Sequence, residues 1–189
     1  ENADPQVRGA ALRNIEQHVL DVGDSRGDLH HIADTFFRNR GVGLVEAGQY
    51  GRALPALSQV LKRHPQDQDI VIYWAYAHFH LGNYAEAARA WTFVDKPEWV
   101  VQTWKKAVAA APDDAHVRLE LARSLTLDDK RAEAIQQYQM LLETNASAEV
   151  HFELALMYLH GGDRVAGRKQ FALGVEQYGL ATAERLGIE

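Results

Sequence analysis

The chain has 189 residues, of which 47% are apolar and 24% charged, the composition of an ordinary soluble globular protein. A net charge of −6 without a basic stripe argues against a nucleic-acid surface. There is no cysteine, which excludes disulfides, thiol nucleophiles and thiolate metal sites and fits a reducing, cytoplasmic compartment.

Residues 1–5 read as a polar lead-in. Residues 7–22 then place Leu12, Ile15, Val19 and Val22 on one face, predicting an amphipathic helix. Residues 23–28 break it. Their Arg26-Gly27-Asp28 tripeptide is read as a turn, since Gly and Asp suit reversed backbone. Residues 29–37 feed straight into the next helix. No secretory signal is visible, and the longest apolar run, 70–81, is too short to span a bilayer. The chain begins at Glu1 without Met, which leaves room for an upstream segment.

Residues 34–67 form the unit that recurs. Two amphipathic helices are predicted, joined by a turn at Gly48-Gln49-Tyr50 and stopped by Pro65. Small residues, Gly41 and Ala53, stand where two helix backbones come close. Phe37, Leu44, Tyr50, Leu57 and Val60 fill the space around them. In the second unit Trp74, Ala75, Gly82, Tyr84, Ala87 and Trp91 fall 34 residues after Arg40, Gly41, Gly48, Tyr50, Ala53 and Leu57. A third unit, 115–146, carries Leu121, Ala122, Leu125, Ala134, Tyr138 and Leu141. The fourth starts at Ala148 and carries Leu154, Ala155, Tyr158, Gly162, Gly167 and Phe171.

A helix–turn–helix of this length, with small and large residues alternating at fixed places and a closing proline, is identified as a member of the tetratricopeptide-repeat family. Arg40 departs from it, standing where the family usually has Leu. The resemblance implies an all-α fold, a right-handed superhelical solenoid of antiparallel helix pairs with an N-terminal helical lead-in over 1–33. Residues 34–95 are then the first two units, and 113–189 the last two with a C-terminal capping helix.

Between them the register slips. The small residue opening each second helix lies at Ala53, Ala87, Ala134 and Gly167, at intervals of 34, 47 and 33. Residues 96–112, with Trp104 and Ala107 ahead of Pro112, read as the second helix of an incomplete unit. Two full periods would need roughly 21 more residues. A segment missing between about Trp91 and Glu98 is expected, because an odd helix would reverse the sense of stacking.

Catalytic, cofactor and metal sites are not expected. His78 and His80 are two apart on a helix and point to different faces, as do the adjacent His30 and His31. Gly41-Val42-Gly43 lacks the strand and further glycine of a dinucleotide site. Asp113-Asp114 and Asp128-Asp129 stand where carboxylates complement helix dipoles. The four Trp, at 74, 91, 99 and 104, mostly occupy inward repeat positions.

In this family the first helix of each unit lines a concave groove. Counting from each unit's start gives Thr35, Arg38, Val42 and Val45, then Asp69, Ile72, Tyr76, Phe79 and His80. The later units give His116, Leu119, Arg123 and Thr126, then Glu149, Phe152, Leu156 and Leu159. Aromatic anchors with an Arg to fix orientation suit a peptide- or helix-binding groove. The carboxylate clamp of the chaperone-docking repeats is incomplete here, since Ile72, Tyr73 and Tyr76 occupy matching places.

The stretch Phe36-Phe37-Arg38-Asn39-Arg40-Gly41-Val42, followed by Glu46-Ala47-Gly48-Gln49-Tyr50, resembles the first repeat of the MamA family of magnetosome-associated scaffolds. The resemblance implies a cytoplasmic-side scaffold that self-associates around the magnetosome membrane, placing part of its N-terminal region in a neighbour's groove, and binds other proteins through its concave and convex surfaces. Leu12, Ile15, Val19 and Val22 are then the natural self-association element, and the protein is peripheral to the membrane through protein partners. The alternative is a peptide-binding accessory or assembly factor of an unrelated bacterial complex.

Overall fold

The structure, a computed structural model, describes residues 27–144 and 147–186, and every regular element among them is a helix. The 7–22 segment, with Leu12, Ile15, Val19 and Val22, lies outside the described residues. The chain divides between Gly82 and Asn83 into two compact units. That boundary falls between the two helices of the second sequence repeat.

The first unit holds α1 (Gly27–Glu46), α2 (Tyr50–Arg63) and α3 (Gln68–His80). Helix α1 starts at Gly27, inside the stretch expected to be a turn, and runs through residues 29–37 without a break. It pairs antiparallel with α2, and α3 packs on both. Ala33, Phe37, Ala53, Leu57, Val60 and Ile70 form the centre of the core, with Val42, Leu44 and Tyr50 packed against it. Gly41 is there because α2 is close. A Cβ at this position would lie 2.5 Å from Leu57 Cδ2 and 3.2 Å from the Leu57 backbone nitrogen. His64 ends α2, Pro65 prevents its continuation, and Asp67 caps α3 by accepting from the Ile70 N–H at 3.2 Å.

The second unit comprises α4 (Tyr84–Phe93), α5 (Pro97–Ala110), α6 (Ala115–Leu127), α7 (Arg131–Thr144), α8 (Ala148–His160), α9 (Arg164–Tyr178) and α10 (Leu180–Arg185). Its hairpins are α4–α5, α6–α7 and α8–α9, each packed on the next, and α10 closes against α8 and α9. Ala87 and Ala134 are fully buried, and a Cβ on Gly167 would lie 2.6 Å from Leu159 Cγ. The small-residue positions are therefore close-packed, as the repeat pattern requires.

One turn recurs through both units. The Gln49 N–H bonds to Leu44 O at 2.8 Å, Lys96 to Trp91 at 3.0 Å, Lys130 to Leu125 at 2.9 Å and Asp163 to Tyr158 at 2.9 Å. Each spans five residues and is nested over a shorter bond, such as Gly48 N–H to Val45 O at 2.9 Å. This is the Schellman helix ending. The residue inside it needs a left-handed backbone. Glycine supplies that at Gly48 and Gly162, whereas Asp95 (φ 52°) and Asp129 (φ 53°) adopt it with a side chain. The α4–α5 connection is thus built like the turns inside the other hairpins. The 97–110 helix, which the sequence frame left without a first helix, lies beside α4.

Candidate protein-interaction surface

Helices α1 and α3 carry the expected groove residues of the first unit. Arg38 forms an ion pair with Asp67, the residue that caps α3. On the neighbouring turn Asp34 accepts from Arg63 Nε at 2.5 Å and lies 2.6 Å from His64 Nε2. These pairs wall an open cleft of about 650 Å³ between His31, Asp34, Thr35 and Arg38 on one side and residues 64–67 on the other. Burial acts to raise both carboxyls. Hydrogen bonds outweigh it, from His64 and Arg63 to Asp34 and from Arg38 and the Ile70 N–H to Asp67, and both stay below the usual carboxylate range.

Further along the unit lies an aromatic cluster. His80 stacks on Tyr50, with centroids 4.6 Å apart and planes 10° from parallel, and Tyr76 lies 4.4 Å from the same imidazole. Tyr76 is 41% exposed and His80 is exposed, while Ile72, Phe79 and Val42 are half-buried. Val45 is different: it is buried in the core of the unit. Its position on α1 turns it into the core rather than outward, so it does not line a groove.

In the second unit the groove positions lie on α6 and α8. Arg123 is surrounded by acids, bonding to Glu120 at 3.0 Å, to Glu153 at 2.6 Å and to Glu149. Glu153 also accepts from the buried Tyr138 hydroxyl at 2.9 Å. Desolvation and the Glu153 charge push that hydroxyl well above its ordinary value. Hydrogen bonds to Glu153 and Glu149 raise Arg123 against the lowering effect of burial. Its charge is therefore internally committed. A smaller hollow of about 210 Å³ lies between His116, Leu119 and Glu149.

Phe152 and Leu119 require correction. Phe152 is fully buried, its ring 5.4 Å from Phe171 and so close to Gly174 that a Cβ there would meet it at 2.8 Å. Leu119 is 9% exposed. Both serve the interior, because α8 is covered by α9 on one side and α6 by α7. Leu156 stays half-buried.

Asp34, His64 and Glu153 escaped the sequence reading, which followed only first-helix periodicity. A signal for them existed. Arg38–Asp67 and Asp34–Arg63 are 29 residues apart, and Arg123–Glu153 are 30 apart. Each separation falls about one helical turn of 3.6 residues short of the 34-residue repeat.

Among the described residues no three His, Asp or Glu side chains converge as metal ligands would. No described helix is long and apolar enough to cross a membrane.

Residues 38–91 match the tetratricopeptide-repeat family, across α1 to α4. This stretch is a tetratricopeptide-repeat segment. The chain is also similar to several solved structures. MamA from AMB-1 is 20% identical, with a TM-score of 0.49, covering 84% of this chain and 99% of that one. A thermophilic TPR protein of Thermus thermophilus is 20% identical with a TM-score of 0.46, covering 81% and 95%. MamA from Desulfovibrio magneticus RS-1, from residue 41 of that protein to its end, is 19% identical with a TM-score of 0.42, covering 76% and 94%. No curated protein matches the chain.

Proposed function

We propose that this chain is a non-catalytic protein–protein interaction scaffold that binds partner segments along α1 and α3 and assembles with itself through residues 7–22. The observation carrying the first half is the aromatic cluster of the first unit. Tyr76 and His80 face solvent with Tyr50 stacked behind them, an arrangement that costs solvation unless an apolar group of a partner covers it. Arg38, Val42, Ile72 and Phe79 extend that surface with a charge and half-buried apolar groups. The self-association half rests on the apolar stripe Leu12, Ile15, Val19 and Val22. The Phe36–Tyr50 motif, which resembles the first repeat of MamA, extends the reading to a scaffold at the cytoplasmic face of a magnetosome membrane, held there by protein partners.

Size-exclusion chromatography with light scattering tests the assembly. The intact chain is expected to run as a high-order species, and deletion of residues 1–28 to release monomers. The Tyr76→Ala/His80→Ala variant is expected to keep the oligomer but lose partner binding. A strict monomer that captures a single C-terminal peptide would instead support the accessory-factor alternative. A fluorescent fusion in a magnetotactic cell, spread evenly through the cytoplasm, would remove the magnetosome assignment.

A further inference from the structure

The outer face of α9 has a charge that nothing in the molecule uses. Arg164, Arg168 and Lys169 are all exposed, and none of their side chains makes an ion pair or hydrogen bond with another described residue. Three unpaired cations within six residues run against the net charge of −6 for the chain. At 100° per residue, Val165 and Ala172 run down the middle of this face, with Arg164 and Arg168 along one side and Lys169 and Leu173 along the other. Val165 is 81% exposed and Leu173 is 40% exposed. The acids on the same helix do not neutralise the patch. Asp163 is engaged as the cap, accepting from the Ala166 N–H at 2.9 Å, and Glu176 stands two turns beyond Lys169.

We propose that this face of α9 docks an acidic segment of a partner protein. Arg164 and Arg168 are one helical turn apart, about 6 Å, a separation that two carboxylates on a partner helix reproduce. A guanidinium takes a carboxylate bidentately, which fixes orientation as well as charge. Val165 and Ala172 between the cations then cover an apolar side chain of the same segment, and Lys169 holds the far edge. An anionic bilayer is a poorer fit, since three cations around one exposed valine provide neither the charge density nor the apolar depth of a membrane-binding helix. Of the chain's own acids, Asp114 is engaged as the cap of α6 and Asp128 holds Lys130 at 2.7 Å. The surface is on a different helix from the groove and does not depend on it.

The test uses the full chain and a short fluorescein-labelled peptide with glutamates at i and i+4 flanking a leucine, read by anisotropy. Binding is expected in low salt and is expected to weaken as salt rises. The Arg164→Glu/Arg168→Glu variant is expected to lose affinity by about tenfold or more, with its circular-dichroism melt unchanged. Lys62→Glu, a charge reversal at an exposed position in the first unit, is expected to leave binding intact. Absence of binding, or an equal loss in Lys62→Glu, would overturn the proposal. So would phosphatidylserine vesicles that hold the native chain and release the double variant while the peptide is ignored. A drop from oligomer to monomer in the double variant would assign the face to a second copy and likewise end it.

Discussion

Arg123 of α6 grips both carboxylate oxygens of Glu153 on α8, with Nη2 2.6 Å from Oε1 and Nε 3.2 Å from Oε2. One guanidinium thereby holds three carboxylates together, since Glu120 and Glu149 bond to it as well. Arg123→Ala would leave those acids facing one another. The site is one-third exposed, so the expected loss is about 1–2 kcal/mol in urea unfolding at neutral pH.

Asp34 and Asp67 predict a specific acid sensitivity. Both carboxyls titrate below their ordinary value of 3.8 in the folded chain, so the folded state binds fewer protons than the unfolded one in that range. Their stabilisation is fully present above the unfolded pKa and is lost as pH falls through the folded one. Urea midpoints of the native chain should drop between neutral pH and pH of about 3. The Asp34→Asn/Asp67→Asn variant should be less stable at neutral pH and show a shallower drop.

Two glycines of α1 should respond with opposite sign. Gly43 has no neighbour within 4 Å of a Cβ, and Gly43→Ala should stabilise by about 0.5–1 kcal/mol through helix propensity alone. Gly41 faces the fully buried Leu57 and the backbone of α2. Gly41→Ala should destabilise by about 1–3 kcal/mol as the helices are forced apart. Thermal melts of the two variants, made two residues apart on one helix, separate propensity from packing.

The recurring turn gives a further pair. Asp95 holds a left-handed backbone with a side chain, and Asp95→Gly should relieve about 1–2 kcal/mol of strain while making the unfolded chain more flexible. The net gain expected is about 0.5–1 kcal/mol. Gly48→Ala should cost about 1 kcal/mol for the reverse reason, although no atom lies near its Cβ. Equilibrium denaturation measures both.

Much of the fold was legible because it is local. The helix ends at Gly48, Gly82 and Gly162, the stop at Pro65 and the small residues at Gly41, Ala53, Ala87 and Ala134 are demands that a short stretch of backbone makes on its own side chains. The candidate surface was legible only in part. Arg38, Tyr76 and His80 are accessible as periodicity indicated, whereas Val45, Leu119 and Phe152 belong to the interior. A position on a helix face specifies a direction, but what stands in that direction belongs to another helix.

The sequence by itself determined the repeating unit: its helices, its turns, and where two backbones must approach. Only the tertiary structure decided that α4 lies beside α5, that the groove arginine at 123 is enclosed by three glutamates, and that Asp34 and Asp67 tie α1 to the end of α2 and the start of α3. The reason is separation along the chain. A turn is closed by residues five apart, while these pairings join side chains some thirty residues apart, and only the packing of whole helices sets the register in which they meet.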